Sequence, residues 1–260
     1  MKTAVVTGGS SGIGLAAVRA LAENGWKVFE LSRHGTGTED AVHICCDVSD
    51  ENSVNEAFAQ ISADSVPDLV LNCAGFGISG AVEFTDLWEA KRLFDVDFFG
   101  TVNVNKAAIP FLRETGGKII NISSVAAPVP IPFQAFYSAA KAAVSSYTMS
   151  LANELRPFGI SVCAVLPGDI KTGFTAARKK NTGGDELYGG RISRSVSRME
   201  KDEQNGMPPE TIARVIVKIA RKKRVRPLYT AGFSYHLITF LIKILPSSLA
   251  NRIIGSLYSK

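Results

Sequence analysis

The sequence predicts an α/β protein, built on a doubly wound parallel sheet of about seven strands with helices on both faces. Short β-branched runs alternate with helical patterns along the chain. The runs are almost continuously apolar, which is typical of strands that helices cover on both sides. Of the 260 residues, 46% are hydrophobic and 20% are charged, a composition typical of a globular protein and not of a disordered one. We therefore expect a single domain over 1–260.

The elements follow one another in a repeated strand, helix, strand order. The predicted strands are 3–7, 27–31, 41–46, 68–72, 118–123 and 160–166, with a short seventh near 227–230. The predicted helices are 12–24, 50–63, a long region over 83–113, 134–155 and 208–223, followed by two apolar helices. This rhythm, with no internal repeat and no linker, predicts a Rossmann-like arrangement.

Two segments depart from the rhythm. Residues 169–207 combine glycines and charges with weak periodicity, so we expect a mobile excursion where a substrate lid would lie. Residues 232–260 are predicted to form an apolar, helical C-terminal extension.

The basic surplus does not indicate nucleic-acid binding. The net charge of +5 is concentrated in 221–226, RKKRVR, with a smaller excess across 171–201. A patch this short is typical of a solvated helix end or an acidic-ligand site, and not of the long basic stripe that a nucleic acid needs. We expect no nucleic-acid partner.

Cysteine usage and the start of the chain predict a cytoplasmic protein. The cysteines lack both CxxC spacing and the density of a secreted scaffold, so they indicate a reducing compartment and no metal site: Cys45, Cys46, Cys73 and Cys163. The chain runs directly from MKTAVVTGG into the first strand, which leaves no room for a signal peptide. The apolar stretch 235–245 has 11 residues, too few to span a bilayer, which takes about 20, but enough to lie on one.

A glycine-rich loop follows the first predicted strand and opens the first helix. It reads TGGSSGIG, and its glycines allow a tight turn and the close approach of a pyrophosphate to the helix N-terminus. The alternative is a tight turn without a ligand, but the position between strand and helix favours dinucleotide binding. The predicted cofactor contacts here are Gly8, Ser10, Ser11, Gly12, Ile13 and Gly14.

The end of the second strand indicates which dinucleotide binds. An acidic side chain there would pair with a free ribose 2′-hydroxyl and repel a 2′-phosphate. This chain has Ser32 at that position and then Arg33, whose guanidinium can bind a phosphate through two donors. We therefore expect NADP(H) as the cofactor, although Glu30 lies on the same face two residues deeper.

Five motifs in order, TGGSSGIG, CDV, NCAG, SS and YSAAK, make the chain resemble a short-chain dehydrogenase/reductase of ordinary length over about 2–230. The resemblance implies that Asp47, with Val48, contacts the adenine. It also implies that the NCAG segment lies along the cofactor, through Asn72, Ala74 and Gly75.

The spacing of Tyr137 and Lys141 places both side chains on one face of a helix. A carbonyl that accepts a hydride also needs a proton, and a phenol can supply it if a nearby ammonium lowers its pKa toward neutrality. The resemblance assigns Tyr137 as the acid/base and Lys141 as a further ligand of the nicotinamide ribose. It assigns Ser124, at the end of the fifth strand, to hold the substrate oxygen.

Asp97 departs from the family pattern. The family has an asparagine in this position on the long helix, where it bonds the helix backbone and positions a water linked to the lysine. An aspartate could accept the same water, but its charge could either raise the pKa of the lysine or support a proton relay to solvent. We keep Asp97 among the predicted catalytic residues.

The segment PGDIKT follows the sixth strand and matches the family segment that clamps the nicotinamide carboxamide. The predicted contacts are Pro167, Gly168, Ile170 and Thr172.

These observations predict an NADP(H)-dependent enzyme that interconverts a secondary alcohol and a ketone. The predicted wall 126–136 is apolar and proline-rich, which favours a lipophilic substrate such as a steroid, a retinoid or a long-chain ketone. The resemblance also implies a homodimer or homotetramer. The alternatives are a non-catalytic NADP(H) sensor or scaffold and a lipid-bound structural protein.

The C-terminal tail resembles the basic and then apolar extension of hydroxysteroid and retinol dehydrogenases. It can pack over the substrate pocket or against another subunit, and it is also compatible with peripheral membrane contact through 221–245.

Overall fold

The computed structural model describes residues 1–35 and 38–258, so the last two residues of the predicted extension lie outside the described residues. Its centre is a seven-stranded parallel sheet with the strand order β3-β2-β1-β4-β6-β7-β9, which confirms the predicted Rossmann-like fold. The strands are β1 (Thr3–Thr7), β2 (Lys27–Ser32), β3 (Val42–Cys45), β4 (Leu69–Asn72), β6 (Lys118–Ile122), β7 (Ser161–Pro167) and β9 (Leu228–Ala231). Two short strands, β5 (Ile78–Ser79) and β8 (Lys179–Lys180), pair with each other outside it.

Helices cover the sheet on both faces. The helices are α1 (Gly12–Glu23), α2 (Glu51–Ser62), α3 (Leu87–Phe94), α4 (Gly100–Thr115), α5 (Ala135–Leu155), α6 (Phe174–Ala177), α7 (Arg191–Gln204), α8 (Pro209–Arg221), α9 (Phe233–Ile244) and α10 (Ser247–Tyr258). On one face α1 and α8 pack against Val6 and Leu71. On the other face α2, α4 and α5 pack against Val5, Val70 and Ile119. Adjacent strand residues point to opposite faces, so both sides of each central strand are apolar, as the sequence indicated.

The order of the strands reverses between β1 and β4. β1 pairs with β2 on one side and with β4 on the other, so the connections from β1 and β4 leave in opposite directions. A crevice therefore opens at the carboxyl ends of these strands, which is where ligands bind in open parallel sheets.

The long helical region predicted over 83–113 is interrupted. It consists of a 3₁₀ turn (Val82–Phe84), α3, a π-helical turn (Asp95–Phe99) and α4. The π turn buries Asp97, which is 1% exposed. Single π turns inside α-helices are frequent at functional sites, and a periodicity argument cannot find one because the neighbouring turns are regular.

The segment 169–207 contains more regular structure than the sequence indicated. After the short α6 and β8, α7 has 14 residues, and it buries Ile192, Val196 and Met199 on one face. Those apolar positions have helical spacing, so the sequence does contain the pattern of an amphipathic helix, although charged residues surround it. The lid role remains a prediction.

Two helices, α9 and α10, follow β9. No helix in the described residues is long and apolar enough to cross a membrane. Of the residues in α9, only Thr239 is buried. The helix is anchored by Tyr235, whose hydroxyl donates a 2.5 Å hydrogen bond to Asp169.

Candidate active site

The glycine loop forms a tight cradle between β1 and α1. Gly8 and Gly12 have positive φ angles of 64° and 53°, which favour glycine. A Cβ atom at Gly14 would lie 2.1 Å from the carbonyl oxygen of Gly8, so no larger residue fits without a shift of the backbone. The loop therefore exposes backbone N–H groups at the N-terminus of α1, as a phosphate site requires.

Thr7 joins this loop to the NCAG segment. Its Oγ1 accepts hydrogen bonds from the backbone N–H groups of Cys73 (3.1 Å) and Ala74 (3.2 Å). A Cβ at Gly8 would lie 2.9 Å from the Cα of Ala74, so the two segments touch. Sequence analysis did not single out Thr7 for this role.

The side chain of Asn72 belongs to a buried polar network. Its Nδ2 donates to Oδ1 of Asn105 and to Oδ1 of Asn121, both at 2.8 Å. Asn121 in turn donates to Thr148 on α5 at 2.9 Å. The network holds β4, β6, α4 and α5 together, so this amide is engaged in the core and does not line the main cavity. Asn105 of α4 also belongs to this network.

Three of the predicted catalytic side chains lie on one cavity of about 390 Å³: Ser124, Tyr137 and Lys141. Ser124 follows β6, and the other two project from α5. The Ser124 hydroxyl is close enough to the phenol of Tyr137 to lower its pKa, and Oγ of Ser124 accepts the Ala126 backbone N–H at 3.1 Å. The adjacent Ser123 instead donates to the Lys141 carbonyl oxygen at 2.9 Å, and so it holds α5 against β6. The same cavity is lined by Gly8, Ser11, Gly12, Ile13 and Gly14.

Asp97 and Lys141 form a buried ion pair. Oδ2 of Asp97 lies 2.9 Å from Nζ of Lys141, and both side chains are at least nine-tenths buried. Oδ1 of Asp97 accepts the Phe76 backbone N–H at 2.9 Å, and Nζ of Lys141 also donates to the Ile122 carbonyl oxygen at 3.3 Å. The carboxylate fits because its neighbour is Gly75, where a Cβ would lie 2.9 Å from Oδ2.

The charges in this group act on one another. Burial alone would lower the pKa of Lys141, but the Asp97 carboxylate beside it raises that pKa above the ordinary value. Burial also raises the pKa of Asp97, and the Lys141 charge and the Phe76 N–H oppose this rise. Because the two groups are in contact, they share their protons as a pair.

The pKa of Tyr137 lies above its ordinary value. Burial is the largest cause, and the nearby Asp97 carboxylate adds to it. The Lys141 ammonium, the Ser124 hydroxyl and the Arg178 guanidinium lower the pKa but do not outweigh burial. The expectation that Lys141 would bring this pKa toward neutrality is therefore not met by the protein groups alone.

The segment after β7 faces the glycine loop across the cavity. A Cβ at Gly12 would lie 3.5 Å from the Cβ of Thr172. Gly168 cannot carry a side chain, because a Cβ there would lie 2.2 Å from the ring of Tyr235 on α9. Pro167, Ile170 and Gly168 also line the cavity, so the four predicted residues of this segment lie together.

The residues predicted for the adenosine half lie at the carboxyl ends of β2 and β3, away from the lining of the main cavity. Ser32 pairs with Cys45 in the sheet, and Arg33 is exposed just beyond. Oδ1 of Asp47 accepts hydrogen bonds from the Ser49 backbone N–H and hydroxyl at 3.0 and 2.6 Å. Val48 packs on Gly100 at the start of α4, where a Cβ would lie 2.7 Å from it.

Sequence analysis missed a group of residues that closes the substrate side. The ring of Phe174 on α6 packs against that of Tyr137, with 5.7 Å between centroids. The guanidinium of Arg178, which is 3% exposed, lies over the ring of Phe174 and forms an ion pair with Glu203 of α7. Thr175 donates to the same carboxylate at 2.6 Å, so α6 and α7 are tied together. Tyr258 of α10 also lines the cavity.

Comparisons with known proteins agree with this geometry. The chain is 41% identical over 224 residues to the 3-ketodihydrosphingosine reductase of Bacteroides thetaiotaomicron. The aligned region covers 84% of this chain and 83% of that protein. It is 36% identical over 253 residues to a probable short-chain type dehydrogenase/reductase of Helicobacter pylori, covering 94% and 93%. The structure is also similar to the crystal structure of a short-chain dehydrogenase from Streptomyces avermitilis, with a TM-score of 0.83 and 27% sequence identity. The superposition covers 98% of this chain and 96% of that one. The model of the short chain dehydrogenase family matches residues 2–183, and the chain belongs to that family of oxidoreductases.

Proposed function

We propose that this protein uses NADP(H) to interconvert a lipophilic ketone and the corresponding secondary alcohol. The observation that carries the proposal is the single cavity on which the glycine loop, Ser124, Tyr137 and Lys141 all open. A cavity of this kind brings a dinucleotide and an acid/base pair to the same reacting atom.

The residues present fit a nicotinamide dinucleotide. The cradle of Gly8, Gly12 and Gly14 excludes side chains where a pyrophosphate would approach, and Thr172 stands opposite, where it can hold the carboxamide. When bound, NADPH supplies the hydride for the carbonyl carbon. Arg33 is exposed just beyond β2, where its guanidinium can pair with a 2′-phosphate.

Side chains of the protein supply the proton for the carbonyl oxygen. Ser124 and Tyr137 line the same cavity, so both hydroxyls can hold a carbonyl oxygen there. As the oxygen gains negative charge, Tyr137 donates its proton to it. Lys141 then stabilises the phenolate, and Asp97 holds Lys141 in position through the 2.9 Å pair.

Burial and the Asp97 carboxylate raise the pKa of Tyr137, so the phenol is the form present at neutral pH and can donate a proton to a carbonyl oxygen. The oxidation of an alcohol needs the phenolate, which the Lys141 ammonium stabilises.

The substrate side of the cavity is mainly apolar. Its walls include Phe76, Val125, Ile131, Phe174 and Met199. The relative named as a 3-ketodihydrosphingosine reductase shares 41% of its aligned residues with this chain. We therefore propose a long-chain keto lipid as the substrate class.

The test is a titration with NADPH and NADH, followed by turnover at the nicotinamide absorbance. The panel contains 3-ketodihydrosphingosine, a ketosteroid, a short cyclic ketone and a keto sugar. We expect tighter binding of NADPH and the highest kcat/KM for the long-chain ketone. Tyr137→Phe should lose turnover. The matched control is Tyr147→Phe, on the same helix, which should keep it. Preference for the keto sugar would overturn the substrate class, and loss of turnover in both variants would overturn the role of Tyr137.

We also propose that the C-terminal helices contact an anionic membrane surface. Ten Lys and Arg residues and no Asp or Glu follow Glu210. The apolar side chains exposed on α9 are Phe233, Leu237, Ile238, Phe240, Leu241 and Ile244. Apolar and cationic groups together favour binding to anionic lipid. Cosedimentation should be at least about tenfold stronger with phosphatidylserine vesicles than with neutral ones. A double variant that carries both Phe240→Ser and Ile244→Ser should not cosediment with either kind of vesicle. Leu87→Ser, an exposed position on α3, is the control. Equal binding to both kinds of vesicle would overturn the contact.

A homodimer or homotetramer is proposed through the surface of α4 and α5. Met149 on α5 and Phe99 beside α4 are 41% and 51% exposed, and large apolar side chains on a surface are often covered by a partner. Light scattering should give a multiple of 27.8 kDa, and Met149→Glu should reduce it to the monomer mass. An unchanged mass in that variant would place the interface elsewhere.

A further inference from the structure

A buried amide on the wall of the main cavity has no part in the proposed reaction. Gln134 is 4% exposed and lines that cavity together with Tyr137. It is the N-cap residue of α5, but its side chain makes no capping hydrogen bond. No other residue in 1–35 or 38–258 hydrogen-bonds this amide. Buried polar side chains nearly always have a partner, so an unpaired amide on a cavity wall indicates that a bound molecule supplies one.

The backbone before Gln134 is strained, and packing holds it in place. Phe133 has a φ of 60°, which is uncommon for a residue with a bulky side chain. Its carbonyl oxygen accepts the Gly80 N–H at 2.8 Å, and its ring packs edge-on against Tyr188 with 5.6 Å between centroids. Strained conformations of this kind persist where the surrounding structure enforces them, and they cluster at ligand sites. The strained residue directly precedes Gln134 and so fixes the point from which its side chain projects.

Gln134 belongs to the substrate side of the cavity and not to the cofactor side. The carbonyl oxygen of Pro132 accepts a 3.4 Å hydrogen bond from Ser195 of α7. Ile131 packs against an apolar cluster that contains residues of the same helix. The glycine loop instead faces Thr172 across the cavity. The amide is therefore placed to meet the substrate.

The amide also lies close to the place where the carbonyl oxygen binds. Gln134 precedes Tyr137 by three positions, and its carbonyl oxygen accepts the Ser138 N–H at 2.9 Å, as in a regular first turn. Side chains three positions apart on a helix are neighbours, with about 5–6 Å between their Cβ atoms. A substrate group that contacts Gln134 is therefore about one or two bonds from a carbonyl carbon held at Tyr137. The amide offers a donor and an acceptor, which match a hydroxyl or an amino group.

We propose that Gln134 makes the enzyme select long-chain ketones that carry a hydroxyl or amino group on a carbon next to the carbonyl. The inference rests on the proposed long-chain keto lipid as the substrate class. The amide oxygen accepts a hydrogen bond from the substituent, and this contact fixes which carbon of the chain lies beside Tyr137. A ketone without the substituent leaves the amide buried and unpaired, which weakens its binding. Gln134 is therefore a specificity-determining residue.

The experiment compares kcat/KM at saturating cofactor for three ketones of equal chain length. One is 3-ketodihydrosphingosine, whose amino group is next to the carbonyl, one has a hydroxyl at that carbon, and one has neither. For the unaltered protein we expect a preference of about tenfold or more for at least one substituted ketone over the unsubstituted one. A ratio near one would overturn the inference and leave the proposed reaction intact. Failure to turn over any of the three would instead refute the proposed function itself.

Variants assign the preference to the amide. Gln134→Leu nearly keeps the volume of the side chain and removes its hydrogen-bonding groups. It should lower kcat/KM for the preferred ketone about tenfold, mainly through KM, and raise it for the unsubstituted ketone, which then meets an apolar wall. Gln134→Glu keeps an acceptor at the same reach and should retain the preference. The matched control is Gln60→Leu, at an exposed glutamine on α2, which should leave all three values in place.

The direction of the change separates recognition from a structural role. An equal loss for all three ketones in Gln134→Leu would overturn the inference, because a distorted site would impair every substrate alike. A preference that survives in a folded Gln134→Leu variant would also overturn it. The ratio in the unaltered protein tests the inference even if that variant does not fold.

Discussion

Replacing Asp97 with asparagine should move the pH dependence of catalysis without removing catalysis. The asparagine keeps an oxygen that can accept the Phe76 N–H, which Asp97 accepts at 2.9 Å. It removes the negative charge that lies 2.9 Å from Nζ of Lys141. Two unit charges at that distance interact by about 6 kcal/mol at an effective dielectric near 20, and the cost of burial offsets much of this energy.

The effect on Tyr137 is smaller, because the carboxylate acts on the phenol from a greater distance than it acts on Lys141. Asp97 raises the pKa of Tyr137, so its neutralisation should lower that pKa. The phenolate, needed for oxidation, then forms at lower pH. The rising limb of the oxidation profile and the falling limb of the reduction profile should both move to lower pH.

The assay is kcat/KM against pH in both directions for Asp97→Asn. The matched control is Asp95→Asn, an exposed carboxylate on the same π turn, which should leave both limbs in place. Unchanged limbs in a folded Asp97→Asn variant would refute the electrostatic coupling. An upward movement would show that Lys141 had lost its own proton together with its partner, which also contradicts the reasoning.

Three further predictions concern the cofactor and the substrate. Arg33→Ala should weaken NADPH by about tenfold or more and NADH by less than about twofold, since it removes a charge-assisted phosphate contact; equal losses in calorimetry would contradict the NADP(H) preference. Gly14→Ala should abolish binding of both cofactors in the same measurement, because its Cβ would lie 2.1 Å from the Gly8 oxygen; unchanged affinities in the folded variant would contradict this role of the loop. Phe174→Ala should raise KM for long-chain ketones more than for short ones, since it removes an apolar ring from the cavity wall; steady-state kinetics with a chain-length series would show equal changes if that ring does not contact the chain.

Much of the fold and part of the site follow from local patterns. The seven strands, the glycine loop between β1 and α1, and the pair Tyr137 and Lys141 are each encoded within about twenty residues, where periodicity and turn chemistry act directly. The amphipathic stripe of α7 was also local, but it was obscured by the many charges around Ile192, Val196 and Met199.

The sequence by itself therefore determined the α/β architecture, the family and the chemistry types at the site. Only the tertiary structure decided that Asp97 pairs with Lys141, that Glu30 pairs with His43, and that the side chain of Asn72 is engaged in a core network. These pairings join distant positions of the chain, and a buried polar group must find its partner wherever the packed fold places one. That choice depends on three-dimensional proximity, which local periodicity does not record.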